Sequence, residues 1–177
     1  MKNLIILALL VGTLPAGSLA DKPKVNRGMI DAMEKSIDSK VQALWPDDPA
    51  EVVGLTQGAY IHGYGAVFMN EINMAHSTPP SPFHPTITPE ETKRTHDKKA
   101  ARIAKLREAM QQMLVDSAKS LDAVPGDEQV AVSVSLFYWN WENREGLPAQ
   151  IVMHAARKQL LEAKAGADKS FISSEEF

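Results

Sequence analysis

The side chains of this chain that could carry chemistry gather in one stretch. Tyr60, His62 and Tyr64 surround a glycine-rich turn, and Glu71 and Asn73 follow on the segment that returns from it. A histidine beside a carboxylate can act as a general base, because imidazole titrates near neutral pH. His62 and Glu71 are therefore the candidate catalytic pair. The same residues also fit a plain turn in which glycine supplies a positive φ and the histidine stands in solvent, and that reading is preferred.

Close by, Met69, Met74 and His76 bring together two thioethers and an imidazole. Such ligands suit Cu(I), so these three are the candidate metal ligands. Met110 and Met113, by contrast, fall on an apolar helical stripe, where methionine fills gaps in a core, and packing is the preferred reading for the methionines as a group. A third set is aromatic: Phe137, Tyr138, Trp139 and Trp141 run together. Tyrosine and tryptophan pair a large apolar surface with a polar handle, which makes Tyr60, Tyr64, Trp139 and Trp141 the candidate ligand-binding residues. The two alternating faces of a strand account for the same run of aromatics.

The basic stretch Lys93, Arg94, Lys98, Lys99, Arg102, Lys105 and Arg107 suits an anionic partner, but Glu90, Glu91, Asp97 and Glu108 are interspersed. Local ion pairs on a solvated helix face explain it better. No GxSxG elbow, phosphate-binding GxxxxGK[ST], GxGxxG, HExxH or calcium loop occurs. No cofactor is expected, and no reaction can be assigned from motifs.

The elements that must position these residues follow from periodicity. Asn26 can cap a helix whose apolar residues Ile30, Met33, Ile37, Val41 and Leu44 recur at spacings of three and four. Residues 52 to 75, rich in Val, Ile, Tyr, Phe and Gly, predict two strands joined by a turn near His62-Gly63-Tyr64-Gly65. On the first of them Val53, Leu55, Ala59 and Ile61 form a greasy face, whereas Gly54, Thr56 and Gly58 leave the other nearly bare. The proline-rich stretch 76–89 is a loop. Thr88-Pro89-Glu90-Glu91 then starts a helix to about Leu121. Its first half has no apolar stripe and is expected to project into water. Residues 129–139 alternate as a strand, 147–154 return as another, and Ala156 to Ala165 read as a short helix. The sum is an α+β domain: a four-stranded, mainly antiparallel sheet of two hairpins, packed on one face by two longer helices and a short C-terminal helix.

Residues 1–20, MKNLIILALLVGTLPAGSLA, have the charged start, apolar run and small-residue end of a secretory signal peptide, with cleavage after Ala20. The remaining 157 residues are enough for one domain with its own core. The chain has no cysteine, so disulfides and thiolate metal sites are excluded even where oxidising conditions would allow them. Without residues 1–20 it carries 18 basic and 22 acidic side chains, a balance that argues against nucleic acid as a partner. No membrane span is expected after cleavage.

Two functions from different classes follow. The first is a non-enzymatic exported module, periplasmic or secreted, that binds a protein or small ligand on the small-residue face of Gly54, Thr56, Gly58, Ser133 and Ser135. The alternative is a periplasmic enzyme or metal handler centred on His62, Glu71 and His76.

Overall fold

The first helix, α1 (Arg27–Gln42), begins where its cap dictates: the Met29 N–H donates to Asn26 Oδ1 at 3.1 Å. Its stripe of Ile30, Met33, Ile37 and Val41 is buried. The computed structural model that shows this describes residues 24–77, 80–83, 86–163 and 169–177. The signal segment 1–20, with its cleavage point after Ala20, lies outside the described residues, as does part of the proline-rich loop 76–89.

After α1 come β1 (Glu51–Ile61), β2 (Gly65–Asn73), α2 (Pro89–Ser120), β3 (Gln129–Leu136), β4 (Gln150–Ala156), α3 (Arg157–Glu162) and β5 (Ser173–Glu176). The α2 start is a full capping box, with Glu91 N donating to Thr88 Oγ1 at 3.2 Å and Thr88 N to Glu91 Oε2 at 2.9 Å. The class is α+β, as the sequence predicts, but the sheet has five strands in the order β1-β2-β3-β4-β5. The fifth comes from the short C-terminal tail, paired antiparallel to β4. The sheet is also mixed: β2 and β3 lie side by side and parallel. The 32-residue α2 explains this, because it carries the chain back along the sheet so that β3 starts level with β2, the usual requirement for a parallel neighbour.

One core forms between the helices and the inner sheet face, joining Ile30, Ile37, Phe68, Ile72, Leu106, Met110, Met113, Val132, Val134 and Ile151. No helix of the described residues is long and apolar enough to cross a membrane.

The small-residue face drawn from the sequence does not exist as one surface. Thr56 and Gly58 point inward beneath α1, whereas Ser133 and Ser135 alternate with the buried Val132, Val134 and Leu136 and so lie on the opposite face, which is helix-free among the described residues. Register shifts between Val52 and Gln57 break the simple alternation of β1. The bare side of β1 is the packed side because α1 comes so close: a Cβ on Gly58 would sit 2.6 Å from Ile30 Cγ2 and 2.7 Å from Phe68 Cε1. The greasy side faces out, with Leu55 68% and Ile61 52% exposed. The first half of α2 does not project into water either. Lys99 and Arg102 on it are buried.

Candidate ligand-binding cleft

Along the first half of α2, Glu91, Arg94, Thr95 and Lys98 recur at helical spacing and so share a face. That face forms one wall of a cleft of about 480 Å³. Ala75, His76 and Ser77, which follow β2, and Trp141, on the loop between β3 and β4, form the rest together with Ile87. The cleft thus lies at the end of the sheet where β2 and β3 finish.

A buried ion pair adjoins it, linked to the cleft through Ser77. The Lys99 side chain is fully buried, and its Nζ lies 2.5 Å from Glu142 Oε2, a carboxylate side chain only 2% exposed. The contact is close but off the hydrogen-bond direction at that oxygen. Lys99 Nζ also donates to the Phe137 carbonyl at 2.9 Å and stands 4.4 Å from the centre of the Tyr138 ring. Desolvation lowers the Lys99 pKa from its ordinary value, and the close contact with the Glu142 carboxylate and its charge pull it part of the way back. The other oxygen of Glu142 accepts from Ser77 Oγ at 3.2 Å and from Trp139 N at 3.3 Å. Tyr138 donates its hydroxyl to the Pro148 carbonyl at 2.8 Å. Burial pushes this phenol up to about 12, the Glu142 charge adding to the shift and Arg144 opposing it. Lys99 and Glu142 thereby tie the 137–149 loop, Ser77 and α2 into one unit.

Around this pair the charges divide into paired and unpaired. Arg102 donates to the carbonyls of Met74 and Asp48 and to Asp48 Oδ2, with its guanidinium 4.8 Å from the Trp45 ring centre. Lys98 pairs with the same aspartate, and these two cations, the Lys98 hydrogen bond foremost, hold the Asp48 pKa below its ordinary value. His96 reaches the Glu145 carbonyl through Nε2 at 2.9 Å and Asp97 through Nδ1 at 3.4 Å, and its pKa is raised for these reasons in that order. Arg94, exposed at the cleft, has no carboxylate partner among the described residues. The Trp141 indole N–H is buried and has no hydrogen-bond partner there either, and neither has that of Trp139. A cleft with a guanidinium that has no carboxylate partner among the described residues, the Thr95 hydroxyl and the Trp141 ring is equipped to take an anion carrying a flat apolar part.

At the opposite end of the sheet Tyr60 points inward, and its hydroxyl lies close enough to Glu128 for that carboxylate's hydrogen bond, then burial, to push its pKa up. Glu128 is only 8% exposed. Its Oε1 accepts the Gly63 N–H at 3.1 Å, while Oε2 has no partner in hydrogen-bond geometry among the described residues.

The residues singled out from the sequence are distributed over both ends. His62 is exposed in the β1–β2 turn, and Glu71 pairs with Gly54 and Ser135 far along β2. Six residue steps along the strand lead from Gly65 to Glu71, about 20 Å at the usual rise, so His62 and Glu71 share no cleft. Met69 stands 53% exposed on the helix-free face, whereas Met74 is buried in the core and His76 lies in the cleft. Among the described residues no group of three or more His, Cys, Asp or Glu side chains could hold a metal ion. Tyr60 and Tyr64 sit at the turn end and Trp139 and Trp141 at the cleft end, so the four aromatics form no common surface. Of all these only His76 and Trp141 line the cleft. Sequence reasoning named Arg94, Lys98 and Lys99 in the basic stretch but set them aside as a solvated face, and it missed Ser77 and the pairing of Lys99 with Glu142. A signal for Lys99 existed: it continues the stripe of Ile103, Leu106 and Met110 by one more turn toward the helix start.

The chain matches no known protein family, no curated protein and no solved structure.

Proposed function

We propose that this protein is an exported, periplasmic or secreted, non-enzymatic module that binds a small anionic ligand with a flat apolar part in the cleft beside α2. The observation that carries the reading is the pairing in one cleft of Arg94, free of any carboxylate partner among the described residues, with Trp141, whose buried indole N–H has none. Buried donors are normally satisfied. A negative charge at Arg94 would complete the first, and a rotation of the Trp141 indole that turns its N–H into the cleft would let a ligand oxygen complete the second. The volume falls within the range of roughly 300–1,000 Å³ common to small-molecule sites. Export rests on the charged, apolar and small-residue sequence of positions 1–20. The alternative centre at His62, Glu71 and His76 has no geometric support, since its members occupy different ends of the sheet.

The test is a tryptophan-fluorescence titration of the purified protein with benzoate and phenyl phosphate, with benzyl alcohol as the uncharged comparison. One or both anions should change the emission saturably while the alcohol does not. Arg94→Ala should weaken that binding by about 10- to 100-fold, the usual weight of a hydrogen bond to a charged group. Equal response to anions and alcohol, or an unchanged affinity in Arg94→Ala, would remove the anion site.

A further inference from the structure

β1 is the outermost strand on its side of the sheet, and its sequence carries none of the usual protection. From Val52 to Ile61 it reads VVGLTQGAYI, without a charge or a proline. Uncharged edges of this length attract other strands, and proteins normally blunt them with lysine, proline, bulges or a covering element. Two devices operate here. One is the pair of register irregularities between Val52 and Gln57. The other is α1, which packs Ile30 over Gly58 and then reaches the open edge with its side chains. The amide of Thr56 donates to Asp38 Oδ1 at 2.9 Å, and the Thr56 hydroxyl to the same oxygen at 2.6 Å. The amide of Gly58 donates to Glu34 Oε1 at 2.6 Å, and Arg27 Nη1 donates to the Gly58 carbonyl at 3.0 Å. Arg27 also clasps Glu34, with its Nη2 at 2.8 Å and 2.9 Å from the two carboxylate oxygens. Two carboxylates and a guanidinium on successive turns of α1 thus take the hydrogen bonds that a sixth strand would take.

We infer that β1 is a latent pairing edge for a second copy of this chain, held shut by Arg27, Glu34 and Asp38 of α1. A second copy is the occupant the strand itself favours. Two β1 strands related by a two-fold axis through Gln57 run antiparallel, with Thr56 of each facing Gly58 of the other across the hydrogen-bonded positions. On the outer face that register sets Leu55 opposite Ala59, and Ile61 faces the segment around Val53, where the register of β1 is irregular. Pairing would therefore cover the side chains of β1 that are now 44%, 68% and 52% exposed, those of Val53, Leu55 and Ile61, and would bring no like charges together.

The deciding experiment compares the protein with its Glu34→Ala/Asp38→Ala variant by size-exclusion chromatography with light scattering, using circular dichroism to verify folding. The variant should be folded and double its mass at micromolar concentration, and adding Leu55→Lys at the exposed edge should return it to a single copy. A folded double variant that stays single up to about 100 times that concentration would overturn the inference. A second measurement keeps α1 nearly intact and so does not depend on the folding of the double variant. The chain has no cysteine, so Gln57→Cys puts one thiol at the two-fold axis, where facing Cα atoms would lie about 4.5 Å apart and can be bridged. Disulfide-linked dimer should form about tenfold faster when Glu34→Ala is added, the effect of losing one hydrogen bond of about 1 kcal/mol or more. A cysteine at exposed Lys119 should show no such acceleration. Equal acceleration at both positions, or none at Gln57→Cys, would equally overturn it.

Discussion

Each end of the sheet buries a carboxylate, and the two are neutralised differently. At the cleft end Glu142 meets the fully buried ammonium of Lys99 at 2.5 Å and receives Ser77 and the Trp139 amide on its other oxygen. At the turn end Glu128 meets no cation among the described residues: it holds the Gly63 amide and draws in the Tyr60 hydroxyl. A carboxylate that leans on neutral dipoles ties down only the turn that supplies them. A buried ion pair commits two distant segments at once, here α2 and the 137–149 loop, and either charge is costly without the other. The cleft with unused donors lies beside the ion pair, where the framework is most firmly tied.

The largest effect expected from this contrast is at Lys99. Lys99→Met keeps the length of the side chain but leaves Glu142 buried without its counter-ion, and urea unfolding should show a loss of about 3–5 kcal/mol. The double variant Lys99→Met/Glu142→Leu should recover most of that loss, because a well-packed apolar pair is often no worse than the ion pair it replaces. If Lys99→Met alone cost less than about 1 kcal/mol, the pair would be a surface-type contact and the contrast between the two ends would collapse.

Glu128 should matter less. Glu128→Ala leaves the Gly63 amide and the Tyr60 hydroxyl to find water, which costs about 1–3 kcal/mol in the same unfolding assay. Glu128→Gln retains an acceptor for Gly63 and should fall near the lower end. A loss at Glu128→Gln as large as that at Lys99→Met would mean that charge, and not hydrogen bonding, holds the turn.

Much of this architecture is legible before any coordinates. The Asn26 cap, the α1 stripe and the Thr88–Glu91 capping box are local signals, and each appears where its residues place it. Two readings failed because they depend on tertiary neighbours. The bare side of β1 looks like a free surface until α1 is known to approach Gly58 within contact distance. The first half of α2 looks solvated because lysine and arginine normally are; Lys99 and Arg102 are buried only because Glu142, Asp48 and three backbone carbonyls, distant in sequence, meet them. The β5 strand gave too few residues for a period. The cleft shares that difficulty, since Ser77, Arg94 and Trp141 belong to three separate segments and no spacing links them. His62 and Glu71 show the reverse error: closeness along a hairpin does not bring two side chains together when one lies in the turn and the other far along the strand.

The smallest effect sharpens the contrast through pH. Tyr138 in the folded protein has its pKa raised from 10 to about 12, so the unfolded chain gives up this proton first. The resulting stability is present in full below pH 10 and is lost as the pH climbs toward 12. Lys99 has the opposite sign. Its folded pKa is depressed, so the unfolded state holds the extra proton, and the penalty of burying the ammonium is relieved as the pH rises through the lowered value toward 10.5. Tyr138→Phe sacrifices the hydrogen bond to Pro148 but removes the alkaline loss, so its stability deficit against the parent protein, followed by denaturant unfolding, should shrink between pH 10 and pH 12. In a Lys99→Met background the opposing relief is gone, and the fall attributable to Tyr138 should begin without a preceding rise. A deficit that stays constant across that interval would mean that Tyr138 is no more buried than a surface phenol, and that the cleft end is not the drier of the two.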